Sequence, residues 1–148
     1  MTIEIKSYKE LSLDEFHDII ALRIAVFVIE QNCPYQELDG KDKNSFHLIA
    51  RNENNKIVGT ARIIPAGISY HEVAIGRVVT SPEARNHKLG HKIMENALTF
   101  IDQQWKNESV KLSAQTHLTH FYQKHGFHST GKEYLEDGIP HTEMKLTK

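Results

Sequence analysis

The chain has 148 residues, with 18 lysines and arginines against 19 aspartates and glutamates, ten histidines and one cysteine. That length suits a single domain, residues 1–148, able to bury about two-thirds of its unfolded surface, and the near-neutral charge excludes a broad basic face for nucleic acid or an anionic membrane. The lone Cys33 excludes an internal disulfide framework, no apolar run approaches the roughly 18 residues of a membrane span, and MTIEIKSYKE is not a signal peptide, so a cytoplasmic protein is expected.

Met1 to Tyr8 alternates Ile3 and Ile5 with polar residues, a short strand. The following SLDE is a capping box, with Ser12 as N-cap and Glu15 three residues on. Phe16, Ile19, Ile20, Arg23 and Phe27 then recur at helical spacing, which predicts a helix from Leu13 to Glu30. QNCPYQELDGKDKNS is polar and broken by Pro34 and Gly40; it reads as a long loop, and such a loop in a compact domain is often functional. FHLIAR and KIVGTARIIPA are strands joined at NENN, where Asn54 and Asn55 tolerate positive φ, and EVAIGRVVT is a third. Leu89, Ile93, Ala97, Phe100, Ile101 and Trp105 mark one face of a long helix. VKLSAQ alternates as a strand, HLTHFYQKHGF is a short helix with Gly126 as its cap, and GKEYLEDGIPHTEMKLT makes two edge strands around the turn at Asp137-Gly138. Consecutive central strands predict an antiparallel hairpin sheet, and the crossover helix from Leu89 to Trp105 predicts a parallel pair beside it. The fold class is α/β with a mixed sheet.

Between the third strand and the long helix lies SPEARNHKLG. The first N–H groups of a helix have no intrahelical partner, and the macrodipole adds about half a positive charge, so a diphosphate fits there. Arg85, His87 and Lys88 add charge, and Gly90 lets backbone approach a ligand without an intervening Cβ. A solvated basic turn is the competing reading on loop composition alone. Gly76, inside its strand, marks either a bulge or tight packing against a helix.

The segment Arg85-Asn86-His87-Lys88-Leu89-Gly90 resembles the acetyl-CoA loop of the GNAT N-acetyltransferases, Q/R-x-x-G-x-G/A, except that Lys88 stands at the middle glycine. FYQKHGF resembles the family's LYEKxGF helix end, with Gln115 where many members carry asparagine. LRIAVFVIEQNCPYQELDGKD, IGRVVTSP and YLEDGIPHTEM together resemble its ElaA-like branch. The resemblance implies a GNAT acyl-CoA N-acyltransferase fold, a central, mostly antiparallel sheet whose parallel strands splay to admit acetyl-CoA as co-substrate. It implies that Val78, Val79 and Thr80 pair with the pantetheine arm, and that Arg85, Asn86, His87, Lys88, Leu89, Gly90, His91, Gln115, Phe121 and Tyr122 complete the acetyl-CoA site.

Acetyl transfer to a primary amine has two proton problems. An alkyl ammonium of pKa about 10 must lose a proton before it attacks, and a thiolate of pKa about 8 to 9 leaves more readily beside a donor. Tyr122 falls on the family's general-acid position. The base is either Glu72 or His141, or a water chain; Glu30, Asp39, Asp42 and His47 around the long loop suit a cationic acceptor, a solvated surface being the competing reading, Glu136 is assigned to the acceptor with them, and Arg77 either orients a carboxylate or pairs with one of these acids. His87 and His91 share a helix face, and His117, His120, His125 and His128 lie close in sequence, yet there is no HExxH motif and one cysteine cannot build a structural zinc site, so no metal is expected. The reading is direct acetyl transfer to a small-molecule or peptide amine, with no nucleic-acid or membrane partner; the resemblance also allows a homodimer. A module that binds acetyl-CoA without transferring the acetyl group is the alternative.

Overall fold

The computed structural model describes residues 1–148, the side chains of Asn86 and His87 excepted. Seven strands form one sheet in the spatial order β1 (Thr2–Ser7), β2 (Phe46–Arg51), β3 (Ile57–Ile64), β4 (Val73–Thr80), β5 (Val110–Gln115), β7 (Ile139–Leu146) and β6 (His128–Glu136). Every neighbouring pair is antiparallel except β4 and β5, which are parallel and connected by the helix α2 (Leu89–Gln104). The mixed sheet expected from the order of elements is thus present.

Helices cover both faces, which is why β2 and β3 are buried almost throughout. α2 packs Leu89, Ile93, Met94, Ala97 and Ile101 against Leu48, Ala50, Val58 and Ala61, while Phe100 and Trp105 extend the stripe onto Phe46. Each of the buried leucine, isoleucine, valine and methionine side chains contributes about 1.5–3 kcal/mol by leaving water. The helix approaches β3 so closely that a Cβ on Gly59 would lie 2.9 Å from Ile93 Cδ1. On the other face α1 (Leu13–Arg23) sets Ile19 on Ile49 and Ile57. Its capping box is formed: the Glu15 N–H donates to Ser12 Oγ at 3.0 Å, and the Ser12 N–H donates to Glu15 Oε1 at 2.9 Å.

Three elements differ from expectation. The first helix is α-wound only to Arg23; Ile24–Glu30 is a π-helix, with N–H groups reaching back five residues, Gln31 to Val26 O at 3.1 Å and Cys33 to Val28 O at 3.0 Å. Val26 alone is buried in that stretch, so its apolar pattern carries no period that separates the two windings. β7 is an interior strand, paired along both sides, and of the two only β6 is an edge; the polar Thr142 and Glu143, both buried, disguise it in the sequence. The strand β4 bulges opposite Ala61, and the left-handed residue is Arg77 (φ 50°) rather than its neighbour Gly76.

Candidate functional site

β4 and β5 share only two ladder pairs, Val73 with Val110 and Ala74 with Lys111. Beyond them β4 stays with β3, and β5 follows β7 to the pair of Gln115 with His141. The two parallel strands therefore part, and a cleft of about 900 Å3 opens between them, toward the upper end of small-ligand sites. Val78, Val79 and Thr80 line one wall, Ser113 and Gln115 the other, with Tyr122 and His141 also exposed to the cavity.

The loop after the π-helix is tied down by buried charge. Arg23, 1% exposed, bonds to Glu37 and, at 2.8 Å, to Asp42. Arg62 holds Asp39 with two bonds of 2.8 and 3.0 Å and reaches Asp42 at 3.3 Å. Burial opposes ionisation of Asp39, but the Arg62 bonds and the Lys41 N–H outweigh it and hold the carboxyl at about 2. Arg77 donates to the Glu37 carboxylate at 3.0 Å and to its carbonyl at 3.2 Å, with its guanidinium 5.4 Å over the Tyr35 ring. The acids of this loop are consumed by arginines, and do not form a free acidic surface.

The acceptor assignments fare unequally. Arg77, Glu30 and Glu136 line the cleft. His47 does not: it is wholly buried in β2, its Nε2–H donates to Asp42 O at 3.0 Å, and burial lowers its pKa and keeps the ring neutral. Glu72 also lies outside the cleft, at the end where β4 and β5 still adjoin, paired with Lys145 at 3.0 Å and Lys111 at 3.7 Å; the Lys145 hydrogen bond lowers its pKa. Burdened with two lysines, it is no base for a cleft substrate. His141 is better disposed. Its Nδ1–H donates to Ile139 O at 2.7 Å, since a carbonyl only accepts, so Nε2 is the nitrogen left to exchange a proton, 3.3 Å from a Glu136 oxygen.

Tyr122 is 8% exposed, packed edge-on to Phe121 and Phe127, and no described protein group bonds its hydroxyl. Burial pushes its pKa up to about 12. Gln115 donates to Gln31 at 3.2 Å, linking β5 to the end of the π-helix. Arg85 makes two bonds to Glu30, at 2.8 and 2.9 Å, and a third to Thr80 O at 3.3 Å, so residues expected at opposite substrates pair with each other.

The loop leading into α2 departs from expectation. Lys88, at the position of the missing glycine, takes the left-handed conformation that a glycine would adopt without strain (φ 54°) and caps α2. The cleft reaches Arg85, whereas Lys88, Leu89, Gly90, His91 and Phe121 lie outside its lining. Leu89 is a fully buried core residue, leaving only its backbone for a ligand. The space beside Gly90 belongs to Phe121, whose ring a Cβ there would meet at 3.3 Å. His91 faces His125, Nδ1 to Nε2 at 2.8 Å, over the Phe121 ring. The expectations for Asn86 and His87 fall outside the described residues. Tyr35, Lys41, Arg62 and Tyr70 line the cleft without a motif that marks them; Arg62 in a mostly apolar strand, and Arg23 inside an apolar helical stripe, are the available signals.

Residues 6–148 match the family model described as an acetyltransferase (GNAT) domain. The chain is 40% identical to protein ElaA of Escherichia coli over 139 residues, 93% of this chain and 90% of that protein. Its fold superposes on the crystal structure of E. coli ElaA with a TM-score of 0.90, at 38% identity and 97% coverage of both chains. An acyl-CoA N-acyltransferase from Pseudomonas aeruginosa superposes with a TM-score of 0.93, at 39% identity, over 99% of this chain and 100% of that one.

Proposed function

The chain belongs to the GNAT acetyltransferase family, and on that premise we propose that it moves an acetyl group from acetyl-CoA directly to a primary amine, both bound in the cleft, with no covalent enzyme intermediate. The observation that carries this reading is the parting of β4 from β5 after two ladder pairs. It leaves a strand edge along a cavity that Tyr122 and His141 both line.

Bound acetyl-CoA supplies the activated acyl group. The free edge of β4 at Val78, Val79 and Thr80 offers backbone donors and acceptors to the amides of the pantetheine arm, as a neighbouring strand would. A backbone N–H near Val78 donates to the thioester oxygen and strengthens as charge gathers there, and only such differential strengthening speeds the reaction. The amide hydrogens at the start of α2, with Lys88 and Arg85, suit the phosphates. Arg85 must give up Glu30 to take part, a small loss for so exposed a pair.

His141 is the base in this reading: its Nε2 accepts the ammonium proton, which then faces the Glu136 carboxylate 3.3 Å away. Tyr122, held near 12, is protonated at working pH. Full transfer of its proton to a thiolate of pKa about 8.5 is uphill by roughly 5 kcal/mol, so the phenol assists departure by donating a hydrogen bond. An acceptor screen that follows release of free CoA thiol tests the proposal. Transfer to at least one amine class is expected; tight CoA binding without thiol release from any amine would favour a binding module.

A further inference from the structure

Resting on that reading, we infer that the acceptor carries a carboxylate as well as its amine, and that Lys41 and Arg77 hold the carboxylate. Lys41 lines the cleft, half-buried, where its ammonium donates to Ser69 Oγ at 3.0 Å and meets no carboxylate among the described residues. Its backbone N–H bonds to Asp39 at 3.0 Å, and Arg77 approaches the same carboxylate at 3.7 Å, so both residues adjoin Asp39 on the cleft wall. Arg77 spends Nε and Nη2 on Glu37 and leaves Nη1 without a described partner, with the side chain 23% exposed. Three arginines, Arg23, Arg62 and Arg77, balance three carboxylates, Glu37, Asp39 and Asp42, and Lys41 adds to the wall an ammonium that no described carboxylate meets. Tyr35 and His47 beside it are both held neutral and leave that balance unchanged.

One surplus positive charge matches one carboxylate. It is too little for a phosphate, which carries about −1.5 to −2 at neutral pH, and it repels the second ammonium of a polyamine. Glu136 and Asp137 also line the cleft, and among the described residues the cation that pairs with Glu136 is His141, when protonated. The acceptor therefore lies with its amine at His141 and Glu136 and its carboxylate at Lys41 and Arg77. Such a molecule is an amino acid in the broad chemical sense.

The test is a matched series of acceptors, amino acids of two to six carbons, their amides and the corresponding alkylamines, assayed with acetyl-CoA. The acids are expected to exceed the amides and alkylamines in kcat/KM by about tenfold or more, the size of one charged hydrogen bond. Lys41→Met should raise KM for the preferred acid by a similar factor while KM for acetyl-CoA stays put, and Lys41→Arg should recover most of the loss. General damage to the fold would raise both Michaelis constants together. Equal turnover of acids and amides by the native chain, or an unchanged KM for the acid in Lys41→Met, overturns the inference while leaving acetyl transfer intact. CoA binding by calorimetry with no transfer to any acceptor defeats the underlying reading instead.

Discussion

Tyr122 shows how much a residue's role depends on its surroundings. A phenol raised to about 12 by burial cannot act as a strong acid, but it is a constant hydrogen-bond donor at every pH the protein meets. Tyr122→Phe is accordingly expected to lower kcat by roughly 10- to 100-fold with acetyl-CoA affinity unchanged, below the full 10²–10⁴ of general acid–base catalysis. The sign of its pH dependence is fixed too: the neutral form is the active one, so no fall in rate from Tyr122 should appear as pH rises to 10. A falling limb with a midpoint below 10 that vanishes in the Phe variant would contradict this. Lys88 offers a second separation. Replacing it by glycine relieves about 1–2 kcal/mol of left-handed strain and adds about 0.5–1 kcal/mol of unfolded-chain entropy. Lys88→Gly should thus shift stability in urea by about 1 kcal/mol or less, yet raise KM for acetyl-CoA if the ammonium serves the phosphates; an unchanged KM would show that the backbone suffices there. The loop pattern identified this position, although not that a lysine would accept the backbone angle of the glycine it replaces.

At the scale of elements, the segment between the π-helix and β2 is the informative one. The sequence marks it as a loop, but its acids lie too far from their partners for any local pattern to join them. Glu37 contacts Arg23 from α1, Arg77 from the β4 bulge and the Tyr35 hydroxyl, so one carboxylate joins three pieces of the cleft wall. Removing one member of a buried ionic cluster strands its partners. Glu37→Ala should cost roughly 3 kcal/mol in urea unfolding, and raise KM for the acceptor as Arg77 loses its anchor. A loss below about 1 kcal/mol would mean that Asp42 alone satisfies Arg23. The bulge was half legible: glycine in a strand signalled it, while the residue that bends is Arg77, held there by Glu37.

Across the whole molecule, charge ties the layers together. Glu15 of α1 bonds Lys6 of β1 at 2.9 Å and Arg51 of β2 at 2.6 Å. Burial opposes its ionisation, yet the Ser12 N–H and these two cations hold it at about 2 against an ordinary 4.5, and Asp39 sits at about 2 against 3.8. Both folded values lie below the unfolded ones, so their stabilisation is complete above about pH 5 and is lost as pH falls toward 2. The melting temperature should drop across that window, and Glu15→Gln should flatten part of the drop while lowering the plateau above it. A melting temperature independent of pH from 5 to 3 would dismiss both carboxylates as contributors.

The strand alternations, the Ser12 capping box, the apolar face of α2 and the order that mixes parallel with antiparallel pairing could all be read directly, because each rests on residues within about four positions of one another or on the order of neighbouring elements. The winding of Ile24–Glu30, the interior place of β7 and the pairing of Arg23 with Asp42, Arg85 with Glu30 and Gln115 with Gln31 could not. Those pairs stand 19, 55 and 84 residues apart, and contacts at such separations leave no period in the chain. They arise when the sheet brings distant segments together, and a charge removed from water then takes whichever opposite group lies within reach.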